Sequence, residues 1–246
     1  MARKGGRRAD ELRPVEIIRG YTRTAPGSVL ISQGDTRILC TASLQEGVPP
    51  WREPSGAGWV TAEYDMLPAA GGERRPRNRG RVDGRTQEIQ RLIGRVLRAV
   101  VDLPALGLNS IVLDCDVIQA DGGTRTAGIT GAYVALCDAA RAGLKRGLFA
   151  RWPIREGVAA VSAGLVKGKV LLDLDYAEDS RADADFNVAM TESGRFVEVQ
   201  GNAEGTAFTG AELERVLAAA VRGIRKLLVA QRAALDGRPA RRGRRR

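Results

Sequence analysis

The sequence predicts an α/β (α+β) fold in which mixed β-sheets pack against helices, as two similar halves in one domain. Three observations carry this. Short, β-rich segments punctuated by Gly, Pro or Asp fill most of the first hundred residues and return from residue 110 onward. Each group is accompanied by long segments with apolar residues at helical spacing. No linker or short-period repeat divides the chain, and the strict strand–helix alternation of a doubly wound sheet is absent.

In order, residues 15–19, 28–32 and 36–44 read as strands, followed by another at 58–67, GWVTAEYDML. The clearest helix spans 86–102. Its Ile89, Leu92, Ile93, Val96, Leu97, Val100 and Val101 recur with a 3.6-residue period, and Arg91, Arg95 and Arg98 fall on the other side. Residues 110–118 form a strand whose Ile111, Leu113, Cys115 and Val117 face one way; a glycine-containing loop at 120–124 leads into a helix over 126–145. Residues 158–166 and 169–176 read as a hairpin around Lys167-Gly168, and 184–191 and 195–200 as two more strands. The last helix runs over 210–235. Thr209 and Glu212 form a capping box at its start, and Leu213, Val216, Leu217, Ala220, Val221, Ile224 and Leu228 make its apolar stripe.

The 246 residues suffice for one sizeable core, and their formal charge of +10 points to an anionic partner such as RNA, DNA or acidic lipid. Residues 1–8 form a basic N-terminal arm and residues 238–246 an Arg-rich tail that reads as disordered. Together they carry the whole excess, so the body, residues 9–237, is balanced and reads as a single catalytic domain. There is no histidine, which excludes Ser-His-Asp and Cys-His nucleophiles and His-ligated metals. Cys40, Cys115 and Cys137 form no CxxC pair and sit in apolar runs, which argues against a disulfide or zinc framework. With no apolar run long enough for a membrane span, the expectation is a cytoplasmic protein with no membrane partner.

Four constellations can carry chemistry. Asp121-Gly122-Gly123-Thr124-Arg125-Thr126 joins a strand to a helix; its glycines permit close approach of a ligand, and its helix start offers free N–H groups. A turn that simply needs glycine would look the same, but Arg125 sits where a cation is unfavourable unless an anion is near. Arg85 stands likewise at the start of the first strong helix, beside Gly84. Five aspartates, Asp173, Asp175, Asp179, Asp183 and Asp185, could hold a hard divalent cation or form a solvated polar face; on its strand Asp185 points away from the side that Phe186 buries. The basic loop 71–84, with Arg74, Arg75, Arg77, Arg79 and Arg81, leads directly into Arg85 and suits nucleic acid, though a solvated charge run is the ordinary reading of such a segment. No P-loop is present. The combination suggests arginines binding inorganic phosphate, aspartates holding Mg²⁺ near a phosphodiester, and a loop holding RNA.

Over residues 7 to 235 the chain resembles the bacterial ribonuclease PH family. The motifs are DELRP at 10–14, GWVTAEYDMLP at 58–68, GRTQEIQRLIGRVLRAVVDL at 84–103, DCDVIQADGGTRTAGITGA at 114–132 and DLDYAEDSRADADFNVAMT at 173–191. The resemblance implies the ribonuclease PH-type fold and a homohexamer built as a trimer of dimers. It implies a phosphorolytic, reversible 3′→5′ exoribonuclease, a tRNA nucleotidyltransferase, that trims tRNA precursors and other RNA 3′ ends, rRNA among them, and releases nucleoside 5′-diphosphates. Inorganic phosphate would be co-substrate, bound by Arg85, Gly123, Thr124 and Arg125. Asp179 and Asp185 would serve in catalysis and hold Mg²⁺ or Mn²⁺, and Arg74, Arg75, Arg77 and Arg79 would hold RNA. The tail after Arg238 has no place in the family pattern. Three rival readings stand beside this one: a hydrolytic nuclease using metal-bound water, a ring subunit that binds RNA without turnover, and a chiefly RNA-binding or chaperone-like protein.

Overall fold

The computed structural model of the chain describes residues 3–77, 83–204 and 206–237. The first sheet comprises β1 (Val15–Arg19), β2 (Gly27–Gln33), β3 (Thr36–Glu46), β4 (Trp59–Met66) and β5 (Asn109–Gln119), in the spatial order β1-β2-β3-β5-β4. All its pairings are antiparallel except β4–β5, which are parallel and joined through the helix α1 (Gly84–Ala99). The second sheet is antiparallel throughout, with β6 (Val158–Val166), β7 (Lys169–Leu172), β8 (Ala184–Thr191) and β9 (Phe196–Ala203) in the order β7-β6-β8-β9. This is the mixed α/β architecture that the strand groups predict.

Between the sheets lies α2 (Thr124–Lys145), which packs on β2 and β3 on one side and on β6 on the other. A helix buried on all sides needs no amphipathic stripe, and α2 has none: Ala127, Ile129, Ala132, Val134, Leu136 and Ala139 are all buried. Its small residues let the sheets approach. A Cβ at Gly131 would come within 2.7 Å of Ile31 and 2.9 Å of Cys40 Sγ. The final helix, α4 (Gly210–Asp236), opens with the Thr209–Glu212 capping box and lays Val216, Ala220, Ile224 and Leu227 against β6 and β7. Leu213, Leu217, Val221 and Leu228 are only partly buried at its flanks. Buried Gln231 stitches α4 to the rest, its amide donating to the carbonyls of Thr130 at 2.8 Å and Val158 at 3.0 Å.

The structure departs from the sequence reading at α1, after β7 and at the N-terminal arm. α1 starts at Gly84 because Asp83 accepts the Thr86 N–H at 2.7 Å, and it ends at Ala99, freeing Val101 to bridge to Ile154. The strand expected over 169–176 stops at Leu172. Asp173 turns the chain at φ +56°, and a short helix, α3 (Tyr176–Asp179), follows under its own Asp175–Glu178 capping box. The basic N-terminal arm packs onto the body: Arg3 is buried, Arg7 is half-buried, and both are held by Glu178, with further bonds to the Leu172 and Asp173 carbonyls. Of the basic segments, Arg79, Arg81 and the tail 238–246 lie outside the described residues. Cys40, Cys115 and Cys137 are buried free thiols, and among the described residues no helix is long and apolar enough to cross a membrane.

Packing of α2 onto β2 leaves no space at Gly27, where an added Cβ would overlap the Ala135 carbonyl oxygen. Gly27→Ala is therefore expected to destabilise the chain by about 2–3 kcal/mol. Gly210→Ala, whose Cβ would enter open space, should leave the midpoint almost unmoved. Urea unfolding followed by far-UV circular dichroism measures both.

Candidate active site

The site begins with a buried ion pair. Arg13 and Asp173 lie 160 residues apart; the Arg13 guanidinium donates to Asp173 Oδ1 from Nε at 3.1 Å and from Nη2 at 2.6 Å, and the Arg13 backbone N–H donates to Oδ2 at 2.7 Å. The same guanidinium donates to the Asp121 and Gly122 carbonyls, and the Thr36 hydroxyl donates to the Gly122 carbonyl at 2.7 Å. The Asp121-Gly122-Gly123 loop is thus clamped from below. Both glycines have left-handed backbone, φ +75° and +65°, and a Cβ at Gly122 would lie 2.5 Å from the Leu174 carbonyl oxygen. The glycines serve close approach of α3 as well as the turn.

Above this loop opens a cleft of about 870 Å³. Its lining brings together Arg85 from α1, Gly123, Thr124 and Arg125 from the start of α2, Asp179 from α3 and Asp185 from β8, with Arg75 at the rim. Arg74 and Arg77 are exposed on the same loop but do not line the cleft. Of the five clustered aspartates only Asp179 and Asp185 face it. Asp173 is held by Arg13, Asp175 caps α3, and Asp183 accepts the Lys167 N–H at the β6–β7 turn.

The start of α2 is suited to an anion. α1, α3 and α4 each have a side chain capping their first turn, whereas Gly123 gives α2 none. The Tyr64 hydroxyl donates to Thr124 Oγ1 at 2.9 Å, so the Thr124 hydroxyl proton is left to point elsewhere. Burial raises the Tyr64 phenol, keeping it a donor. Arg125 pairs with Glu88 of α1 at 3.2 Å and reaches Gln200 of β9 at 3.5 Å. An internal carboxylate therefore answers part of the charge mismatch seen in the sequence. Arg125 Nε is buried without a hydrogen-bond partner, and among the described residues Arg85 makes no hydrogen bond or ion pair.

Asp179 lies in the field of Asp185. Burial of one side and the Asp185 charge raise the Asp179 carboxyl, against Arg125 and Arg85, which lower it. Burial also raises Asp185, and Glu204 adds to it while Arg125 opposes. Two crowded carboxylates are a donor set that suits Mg²⁺ or Mn²⁺, since a hard cation of this size takes one or two carboxylates and completes its shell with water and substrate phosphates. Among the described residues no group of three or more acidic or thiol side chains forms a closed cage.

Sequence reasoning missed Tyr64, Asp121 as the acceptor of the Tyr176 N–H, and Tyr176 itself at the rim. It also missed the clamp role of Arg13, whose only signal is its place in the DELRP motif.

Residues 11–142 match domain 1 of the 3′ exoribonuclease family and residues 157–223 match domain 2. A ribonuclease PH of Corynebacterium glutamicum is 58% identical over 236 residues, covering 95% of this chain and 96% of that protein. A ribonuclease PH of Corynebacterium efficiens is 57% identical, with the same shares covered. An Archaeoglobus fulgidus exosome structure with RNA bound to the active site aligns with a TM-score of 0.79 at 25% identity, over 92% of this chain and 91% of that one. Rice (Oryza sativa) Rrp46 shares the fold, with a TM-score of 0.80 at 18% identity over 96% and 100% of the two chains.

In a chelating buffer at pH 7, Asp185→Asn is expected to melt about 1–3 °C above the unaltered chain, because a half-buried ionised carboxylate is removed. Added MgCl₂ with inorganic phosphate should then raise the melting temperature of the unaltered chain more than that of the variant. Equal shifts in scanning calorimetry would remove Asp185 from the cation's ligands.

Proposed function

This chain belongs to the ribonuclease PH family of 3′ exoribonucleases, and we propose that the cleft is where inorganic phosphate removes the last nucleotide of an RNA chain. The enzyme is a phosphorolytic 3′→5′ exoribonuclease of tRNA processing, with phosphate as co-substrate. The observation that carries the site assignment is the convergence of Arg85, Thr124 and Arg125 on the same cleft as Asp179 and Asp185.

In this reading the Arg85 guanidinium, the Arg125 guanidinium, the Thr124 hydroxyl and the open N–H groups around Gly123 hold the phosphate dianion. Arg125 exchanges part of its contact with Glu88 for the incoming anion. One phosphate oxygen attacks the phosphorus of the terminal phosphodiester, the bond to the 3′ oxygen of the penultimate nucleotide breaks, and that oxygen takes up a proton. Asp185, which faces the cleft, is the carboxylate we assign to assist proton transfer to that oxygen. The products are a nucleoside 5′-diphosphate and an RNA one residue shorter with a free 3′ hydroxyl. An anhydride forms as an ester breaks, so the reaction runs in both directions. Asp179 and Asp185 are the residues that would hold Mg²⁺ or Mn²⁺, which when bound supplies positive charge to the phosphoryl oxygens. Arg74, Arg75, Arg77 and Arg79 guide the tRNA, and among the described residues of this set Arg75 reaches the cleft. We assign residues 9–237 to one catalytic unit, a homohexamer built as a trimer of dimers to the assembly, and the cytoplasm to its location.

Purified protein incubated with a 3′-extended tRNA should release nucleoside diphosphates when phosphate is present. Release of monophosphates without phosphate would favour a hydrolytic nuclease instead. Arg85→Ala is expected to lower kcat/KM for phosphate by about 10²–10³-fold with an unchanged circular dichroism spectrum. Asp185→Asn is expected to lower kcat by about 10²–10⁴-fold. Thin-layer separation of the released nucleotides measures all three.

A further inference from the structure

Two aromatic side chains line the cleft among the described residues, and they are used differently. Phe186 is 1% exposed and packs edge-on against Phe208, with ring centroids 4.7 Å apart. Tyr176 is 67% exposed. Among the described residues its ring has no aromatic neighbour and its hydroxyl no hydrogen bond.

The backbone beneath that ring is fixed. The Tyr176 N–H donates to Asp121 Oδ1 at 3.2 Å, and the Asp175–Glu178 capping box holds the turn that Tyr176 begins. Gly122 presses close enough that a Cβ there would sit 2.9 Å from the Tyr176 nitrogen. Glu178 is itself held by Arg3 and Arg7. An exposed aromatic ring on so rigid a carrier is preorganised to receive a flat partner, because little freedom is lost when the partner arrives. Its neighbour identifies the partner. Tyr176 and Asp179 are three residues apart on one helical turn and therefore stand side by side. A group stacked on Tyr176 has its attached phosphate beside the catalytic carboxylates and the arginines.

We propose that Tyr176 is the stacking platform for a nucleobase flanking the scissile phosphodiester, so that it sets how the RNA 3′ end is positioned. The proposal rests on the cleft being the phosphorolytic site. Every base has a π-face, so a single stacking contact accepts all four, which suits an enzyme that removes successive nucleotides of different identity. Arg85 and Thr124 belong to α1 and α2 and the ring to α3, so loss of the ring is expected to act on RNA rather than on phosphate.

The test compares the unaltered chain, Tyr176→Ala and Tyr176→Phe on a single-stranded RNA with Mg²⁺ and phosphate. Tyr176→Ala should raise KM for RNA about 10-fold or more while KM for phosphate stays unchanged. Tyr176→Phe should restore most of the loss, since the ring and not the hydroxyl does the stacking. An RNA made abasic at the terminal or the penultimate position should weaken the unaltered chain by a similar factor and weaken Tyr176→Ala no further at that position. An unchanged RNA KM in Tyr176→Ala, a penalty for Tyr176→Phe equal to that for Ala, or additive losses at both abasic positions would each overturn the proposal. So would a change of assembly mass in Tyr176→Ala, which would make the ring a contact between subunits. If the unaltered chain shows no phosphorolysis, the proposed function fails by itself. The stacking is then decided by fluorescence anisotropy of the same RNAs, in which Tyr176→Ala binds the intact RNA more weakly or the platform is rejected.

Discussion

The buried pair between Arg13 and Asp173 is the constraint on which the rest of the site depends. It joins the segment before β1, the glycine loop before α2 and the corner where β7 gives way to α3. Asp173 is fully buried and Arg13 6% exposed, so neither charge is solvated by water. Their desolvation is offset because nearly every donor and acceptor is used, including the Arg13 backbone N–H and the two loop carbonyls. Losing one partner of such a pair costs about 3–5 kcal/mol, since an uncompensated charge is left in the core. Here it would also release the loop that carries Gly123, Thr124 and Arg125.

From that clamp the electrostatics of the cleft follow. One wall is cationic, with Arg85 and Arg125 and a helix start left uncapped by any side chain. The other is anionic, with Asp179, Asp185 and Glu204. The walls partly neutralise each other, as the opposing influences on Asp179 and Asp185 show. They do not collapse together, because Arg85 and Arg125 are mounted on α1 and α2, Asp179 and Asp185 on α3 and β8, and α2 lies packed between the two sheets. The opening between them suits a ligand that is anionic at one end and needs charge neutralisation at the other. A phosphate facing a phosphodiester is such a ligand.

Much of this was legible in the chain. Local composition and spacing located every strand and the three long helices, the 3.6-residue period being visible in α1 and α4, and β1, β6 and β8 fall on the expected residues. The alternation that sent Phe186 inward and Asp185 outward was also readable, because it depends only on strand geometry. Four features were not. The stretch 169–176 has strand-like composition, but Asp173 is drawn into the core by Arg13 and turns the backbone left-handed. Arg3 and Arg7 read only as part of a basic arm because their partner Glu178 is some 170 residues away. The cation at the start of α2 pointed to an external anion, yet Glu88 supplies an internal one. Tyr176 resembled the end of a strand, and only the turn into α3 brings it to the cleft.

The sequence by itself determined the long helices and most of the strands, the balanced charge of the body, the absence of imidazole chemistry, and the residue types that can bind phosphate and a hard cation. These are properties of composition and short-range spacing, which survive in any arrangement of the chain. Which of five aspartates face the cleft, which arginines stay available and which are spent on internal carboxylates was decided only by the tertiary structure. A charged group's role depends on what lies within a few ångströms of it, and here those neighbours come from segments more than a hundred residues apart.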